Sequence, residues 1–260
     1  MYGYKRHKMS RLKTKNIVVI IQARMGSTRL YGKVMMEIMG KPMLWHIVTR
    51  LSRSKLINKI VIATSVDRKD DIIADFCEKQ GINFYRGSEK DVLDRYYQAV
   101  KLYNADVAVR ITGDCPLIDY KITDKAISCY LKNIKHFSGA SNVIERTYPR
   151  GFDTEVISRE ALEQVWKKAK KNYQREHVTS YIYEHPDLFN MYSVKNNKDL
   201  SYLRWTVDKK ADLRLVREIY KKLFQKKNIF LMKDILKIVE KEPVLMEINK
   251  NIKQKELLTS

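Results

Sequence analysis

Apolar positions in the first part of the chain alternate between two patterns. Within Asn16–Ile21 every residue from Ile17 onward is β-branched, as a strand buried on both faces of a parallel sheet requires. Shorter runs of the same kind recur at Lys59–Ala63, Ile82–Tyr85 and Asp106–Ile111. Between them, Met43–Leu51, Asp70–Gln80 and Val92–Tyr103 carry apolar residues at helical spacing. This cadence predicts right-handed βαβ units and a doubly wound, mostly parallel α/β sheet. The rest is less regular: helices over Ile118–Leu131, Glu160–Lys170, Glu176–Tyr183 and Ala211–Phe224, and extended pieces over Thr154–Ile157 and Tyr202–Val207. Pro149-Arg150-Gly151 breaks the chain before the first extended piece.

The two ends differ from this body. Residues 1–15 carry Lys5, Arg6, His7, Lys8, Arg11, Lys13 and Lys15 with no acid, and read as a disordered basic tail. Residues 16–224 form one α/β domain, and 225–260 a lysine-rich helical extension. With 260 residues, 44% hydrophobic and 31% charged, the chain can bury a large core. Its longest apolar run, Ile17–Ile21, is too short to cross a bilayer, and no apolar segment follows the basic start as in a secretory signal. Cys77, Cys115 and Cys129 form neither a disulfide framework nor a zinc signature, which places the protein in the cytoplasm.

A net charge of +21 attracts anions. Yet the lysines are spread along helices, as at Lys167–Lys168 and Lys221–Lys222, so solvated faces explain them better than a nucleic-acid groove. The charge is compatible with a phosphate-bearing ligand without identifying one. His46, His136 and His185 read as structural or exposed, and Trp45, Trp166 and Trp205 as core.

Candidate chemistry begins after the first strand. Gln22-Ala23-Arg24-Met25-Gly26-Ser27-Thr28-Arg29-Leu30-Tyr31-Gly32-Lys33 has glycines that let backbone amides approach an anion, with Arg24, Arg29 and Lys33 beside them. Such a loop suits a triphosphate; a basic surface turn is the alternative. It is no P-loop, because five residues separate Gly26 from Gly32 and Val34 follows the lysine. A dinucleotide fingerprint is also absent.

A second site ends the strand Asp106–Ile111, in Arg110-Ile111-Thr112-Gly113-Asp114-Cys115-Pro116. Asp114 stands at the ligand edge of the sheet, as a magnesium ligand or a helix cap. Asp208, after Arg204-Trp205-Thr206-Val207, is expected to end an extended segment in the same manner. Two strand-end acids opposite a basic loop suit phosphoryl transfer. Asp153 and Glu155 alternate on one extended piece, while Arg175 and His177 follow on a helix. Arg175, His177 and Arg204 suit a substrate carboxylate or phosphate, and Asp153 and Glu155 suit hydroxyls; structural ion pairs are the alternative for each.

The loop Gln22–Lys33, the segment from Tyr85 to Tyr96, and Arg110–Asp119 resemble the spore-coat polysaccharide biosynthesis branch of the cytidylyltransferases, as do Arg175–Thr179 and Leu203–Asp208. That branch is similar to acylneuraminate and 3-deoxy-manno-octulosonate cytidylyltransferases. The likeness runs from Ile17 to Leu223, and Tyr31 stands where the family loop has proline. It implies a nucleotide-diphospho-sugar transferase type of fold, CTP as co-substrate, Mg2+, an acidic acceptor and a homodimer. By motif position Arg24 and Lys33 would hold the triphosphate, with Arg29 close by, within a nucleotide site of Gln22, Ala23, Arg24, Met25, Gly26, Arg29, Lys33, Arg86 and Arg110. Asp114 and Asp208 would hold metal, and with Arg24 and Lys33 form the catalytic set. A glycosyltransferase on the same fold would typically show Asp-x-Asp, which Asp114-Cys115-Pro116 lacks. A non-enzymatic polyanion-binding module would leave the acids beside the basic loop unexplained.

Overall fold

The computed structural model describes residues 15–225 and 227–252. The basic tail expected over 1–15 therefore lies, Lys15 aside, outside the described residues, as does the end of the 225–260 extension.

Strand β1 (Ile17–Gln22) shows why the sheet is wound on both sides. Ile17, Val19 and Ile21 enter one core; Val18 and Ile20 enter the other. A hairpin of β2 (Glu37–Ile38) and β3 (Lys41–Pro42) leads into α1 (Met43–Leu51), whose Leu44 and Ile47 join the first core. Then follow β4 (Lys59–Ser65), α2 (Asp71–Gln80), β5 (Asn83–Gly87), α3 (Val92–Leu102) and β6 (Val107–Thr112). Helix α3 covers the second core with Leu93, Tyr96 and Val100.

The remaining elements are α4 (Tyr120–Lys132), β7 (Gly139–Ser141), β8 (Glu155–Ser158), α5 (Arg159–Lys168), α6 (Asn172–His177), α7 (Ser180–Glu184), β9 (Met191–Ser193), α8 (Lys210–Leu223), α9 (Met232–Lys241) and α10 (Val244–Glu247). Among the described residues one seven-stranded sheet has the order β5-β4-β1-β6-β8-β7-β9. The chain steps outward from β1 to β4 and β5, then returns to place β6 on the other flank of β1. Strand order thus reverses between β1 and β6, where open α/β sheets leave a crevice at the carboxyl ends of their strands. Strand β8 runs antiparallel to β6, so the residues preceding β8 arrive at that same edge.

The carboxyl-terminal helices share the first core. Phe230, Ile235 and Leu245 are buried in it, and Arg50 donates to the carbonyls of Ile118 (2.6 Å) and Phe230 (2.6 Å), tying the final segment to the sheet domain.

Two expectations are corrected. Tyr202–Val207 forms no strand; an isolated bridge joins Arg150 and Arg204. Its amides go to different partners, Trp205 N to Arg150 O and Val207 N to Asp114 O, so no continuous ladder develops, and Asp208 is not a strand end. The helix expected over Glu176–Tyr183 is broken at Val178, where φ is +59° and Thr179 N turns back to His177 O at 2.5 Å, dividing α6 from α7.

His46 on α1 is 1% exposed, with Nε2 2.7 Å from the carbonyl of Ile38, which fixes the proton on that nitrogen. Burial outweighs this hydrogen bond and, with the nearby Arg50 charge, lowers its pKa from 6.5 to about 4. The folded state therefore refuses a proton that the unfolded chain accepts below pH 6.5, so this contribution is complete above 6.5 and is lost as pH falls toward 4. At ~1.4 kcal/mol per pH unit, His46 alone is expected to cost about 2 kcal/mol between pH 7 and pH 5. Urea unfolding of the native protein and His46→Gln at both pH values measures the difference; equal losses would refute it.

Candidate active site

The chain leaves β1 at Gln22 and folds the basic loop over the crevice. Gly32 N donates to Met25 O (2.9 Å), closing the loop, and Met25 N donates to Asp70 Oδ1 (2.6 Å), anchoring it to the segment before α2. A single 3-10 turn over Lys33–Met35 then directs the Lys33 side chain inward, leaving the residue only 8% exposed. At the end of β6, a Cβ on Gly113 would lie 2.7 Å from Gln22 O. Only glycine lets Asp114 come this close beneath the end of β1.

Here the loop and the acids meet. Lys33 Nζ donates to Asp114 Oδ2 (2.8 Å), Asp208 Oδ1 (2.9 Å) and the carbonyl of Val207 (2.8 Å). Arg29 reaches the same Asp208 oxygen at 2.6 Å, and Arg204 holds the other at 2.8 Å. Arg204 also donates to Asp212 Oδ1 (3.1 Å), and Asn249, beyond α10, donates to that oxygen at 2.9 Å and to the carbonyl of Arg204 at 3.0 Å. The last helices thus brace the site from behind.

Burial alone would raise the pKa of Asp114, but the Lys33 ammonium and the Thr112 hydroxyl (2.5 Å) overcome it and hold the carboxyl at about 2. Burial likewise pulls Lys33 down, yet its two carboxylates leave it raised. At neutral pH Asp114 is therefore a carboxylate facing the Lys33 ammonium.

Among the described residues no three His, Cys, Asp or Glu side chains gather as a protein-only metal site. The donor set nevertheless fits magnesium, which takes one or two carboxylates and completes its shell with phosphate and water. Asp114 and Asp208 both aim hard oxygens at one point, and the Lys33 ammonium is the cation standing there.

Other residues singled out in the sequence are placed as follows. Ala23 N donates to Ala63 O (3.2 Å), and the Gln22 amide oxygen accepts from Tyr96 (3.3 Å). Gly26 lies against Glu89 and Lys69. Arg24 remains part exposed, 3.6 Å from Glu176. Arg86 is spent on Asp71 (2.6 Å) and the carbonyls of Ser65 and Asp67. Arg110 is paired with Glu155, which also accepts from Tyr183 at 2.5 Å. Asp153 is clasped by Arg146 at 2.6 and 2.9 Å, so the two alternate acids enter separate ion pairs. Arg175 grips Asp91 and the Trp166 carbonyl, and His177 closes α6 at the Val178 turn. Arg146, Asp212 and Asn249 were not singled out in the sequence, because folding alone brings each to its partner.

The switch-point crevice of this doubly wound sheet thus holds loop cations in direct contact with two acids, a place and a charge pattern suited to a phosphate-bearing ligand. Residues 18–259 match the family model described as cytidylyltransferase. The chain is 33% identical to the spore coat polysaccharide biosynthesis protein SpsF of Bacillus subtilis, over 82% of this chain and 90% of that one. It is also 33% identical to the 3-deoxy-manno-octulosonate cytidylyltransferase of Geobacter sulfurreducens, over 45% of this chain and 46% of the other. A solved cytidylyltransferase from Leptospira borgpetersenii superposes with a TM-score of 0.86 at 32% identity, covering 93% of this chain and 100% of that one. The protein belongs to the cytidylyltransferase family.

Proposed function

We propose that the protein transfers CMP from CTP to a hydroxyl of a sugar acid, with release of pyrophosphate, in the synthesis of a surface polysaccharide or glycan. One observation carries this reading: Lys33, the last cation of the loop, lies between Asp114 and Asp208 within 2.9 Å of both. A metal-bound polyphosphate entering the crevice would meet loop cations and acids that already lie in contact. The polysaccharide assignment of the SpsF relative and the sugar acid named for the Geobacter relative support the acceptor class.

In this mechanism the acceptor oxygen attacks the α-phosphorus of CTP in line, and the bond to the β-phosphate breaks. Arg24 is the loop cation least committed to a protein partner, since its ion pair with Glu176 is long, at 3.6 Å, and part exposed. Arg29 and Lys33 hold Asp208 in place and offer positive charge toward the departing pyrophosphate. Arg204 and Asp212 keep the Asp208 carboxylate oriented. Mg2+, held by Asp114 and Asp208, would supply charge neutralisation and polarisation of the phosphate oxygens. The cytoplasmic homodimer implied by the family likeness is part of the proposal; among the described residues no helix is long and apolar enough to cross a membrane.

Pyrophosphate release from CTP, ATP, GTP and UTP, measured with Mg2+ and a panel of sugar acids, tests the reading. CTP with an acid should release pyrophosphate and yield a CMP-linked product. A nucleoside diphosphate released from a nucleotide sugar, with CTP inert, would replace it with glycosyl transfer.

A further inference from the structure

Arg150 stands out among the basic side chains near the site. It is half buried, yet its guanidinium has no hydrogen-bond or ion-pair partner among the described residues. Its backbone is firmly held: Arg150 N donates to Leu203 O at 3.0 Å, and Trp205 N donates to Arg150 O at 2.8 Å. Gly151 follows at φ +106°, where a Cβ would fall 2.7 Å from the backbone of Trp205. Glycine is required for this close pass, so Arg150 is fixed beside the segment that carries Arg204 and Asp208.

The neighbours leave it without a counter-charge. Burial and then the like charges of Arg146 and Arg204 lower its pKa, with Asp153 opposing them. Asp153, however, is already gripped by both terminal nitrogens of Arg146. Arg204 is satisfied by Asp208 and Asp212, and Asp208 serves Arg29 and Lys33 as well. An unpaired, part-buried cation among cations is costly, and an anionic ligand is the remedy.

Topology says which ligand. The basic loop follows β1; Arg150 precedes β8, on the opposite side of β6 and its Asp114. The basic loop and Arg150 therefore flank the acids from two sides, which on the cytidylyl-transfer reading leaves the Arg150 side for the acceptor. A planar guanidinium matches a carboxylate in a two-point contact.

We propose that Arg150 binds the carboxylate of the acceptor sugar acid, with Arg146 and Arg204 reinforcing the positive field, and so sets which acceptors enter. This rests on the cytidylyl-transfer reading for its substrate, but its binding arm can be tested apart from turnover.

The test follows pyrophosphate release from CTP with 3-deoxy-manno-octulosonate, N-acetylneuraminate and glucuronate, each as free acid and as methyl ester. Arg150→Ala should raise KM for the acid roughly 30-fold while KM for CTP stays unchanged. The ester should be a poor substrate for native protein and variant alike. Arg150→Lys, which keeps the charge without the fork, should fall between and keeps the test readable if the alanine variant unfolds. An unchanged acid KM, or an equal loss on acid and ester, overturns the subsite while leaving the reaction intact. Calorimetry with each acid alone supplies the second arm. Acids that bind the native protein and not Arg150→Ala, with no pyrophosphate released by any acceptor, would keep the subsite and sink the reaction. No acid bound, or a sugar 1-phosphate bound in their place, overturns the carboxylate assignment.

Discussion

Asp114→Asn is expected to leave the fold standing and to lower pyrophosphate release from CTP by on the order of a thousandfold. The native carboxyl, held at about 2, is ionised throughout the neutral range, and its side chain is 23% exposed at the crevice. Asparagine keeps the shape and can still accept from Thr112, so local packing survives. Lys33 retains Asp208 and the Val207 carbonyl, and the backbone link from Val207 N to Asp114 O is untouched. What disappears is a full negative charge where the proposed metal would sit. KM for CTP should move far less than kcat, because the loop cations remain. Thermal melting and steady-state kinetics at neutral pH check both halves. Turnover within tenfold of native would remove Asp114 from the reaction.

The first half of the fold was legible because its signals are local. Five consecutive β-branched residues at the start of β1 and the apolar spacing of α1 depend on nothing distant, and α1 appears at Met43–Leu51 as read. Tyr202–Val207 failed for the opposite reason. Its tyrosine, tryptophan, threonine and valine favour a strand, but a strand needs a continuous partner, and this segment bonds alternately to the chain at 150 and at 114. Val178 gave no warning of a break, since no glycine or proline marks the turn. Strands β7 and β9 are three residues each, too short to show a period.

The candidate site divides in the same way. Loop cations and Asp114 were visible as charges beside glycines at the ends of buried strands. Asp212, Arg146 and Asn249 act through partners that only folding delivers; Asn249 meets Asp212 across 37 positions. Arg150 was visible merely as part of a chain break. Its isolation from any carboxylate exists only once Asp153 has closed on Arg146.

Lys33→Met should cost about 3–5 kcal/mol of folding stability, a penalty independent of any role in turnover. The ammonium is enclosed by Asp114, Asp208 and the Val207 carbonyl, and methionine fills similar space without donating a hydrogen bond. The two acids would not suffer equally. Asp208 keeps Arg29 at 2.6 Å and Arg204 at 2.8 Å, whereas Asp114 keeps only the neutral donors Thr112 and Cys115. Most of the penalty therefore belongs to one stranded carboxylate, and neutralising it should return part of the loss. Lys33→Met/Asp114→Asn is expected to be more stable than Lys33→Met alone, with a coupling of roughly 1–3 kcal/mol between the sites in urea unfolding. Additive losses would mean that the lysine and Asp114 do not depend on each other in the folded protein. The same result would mean that the Lys33–Asp114 contact does not help to hold the basic loop over the crevice.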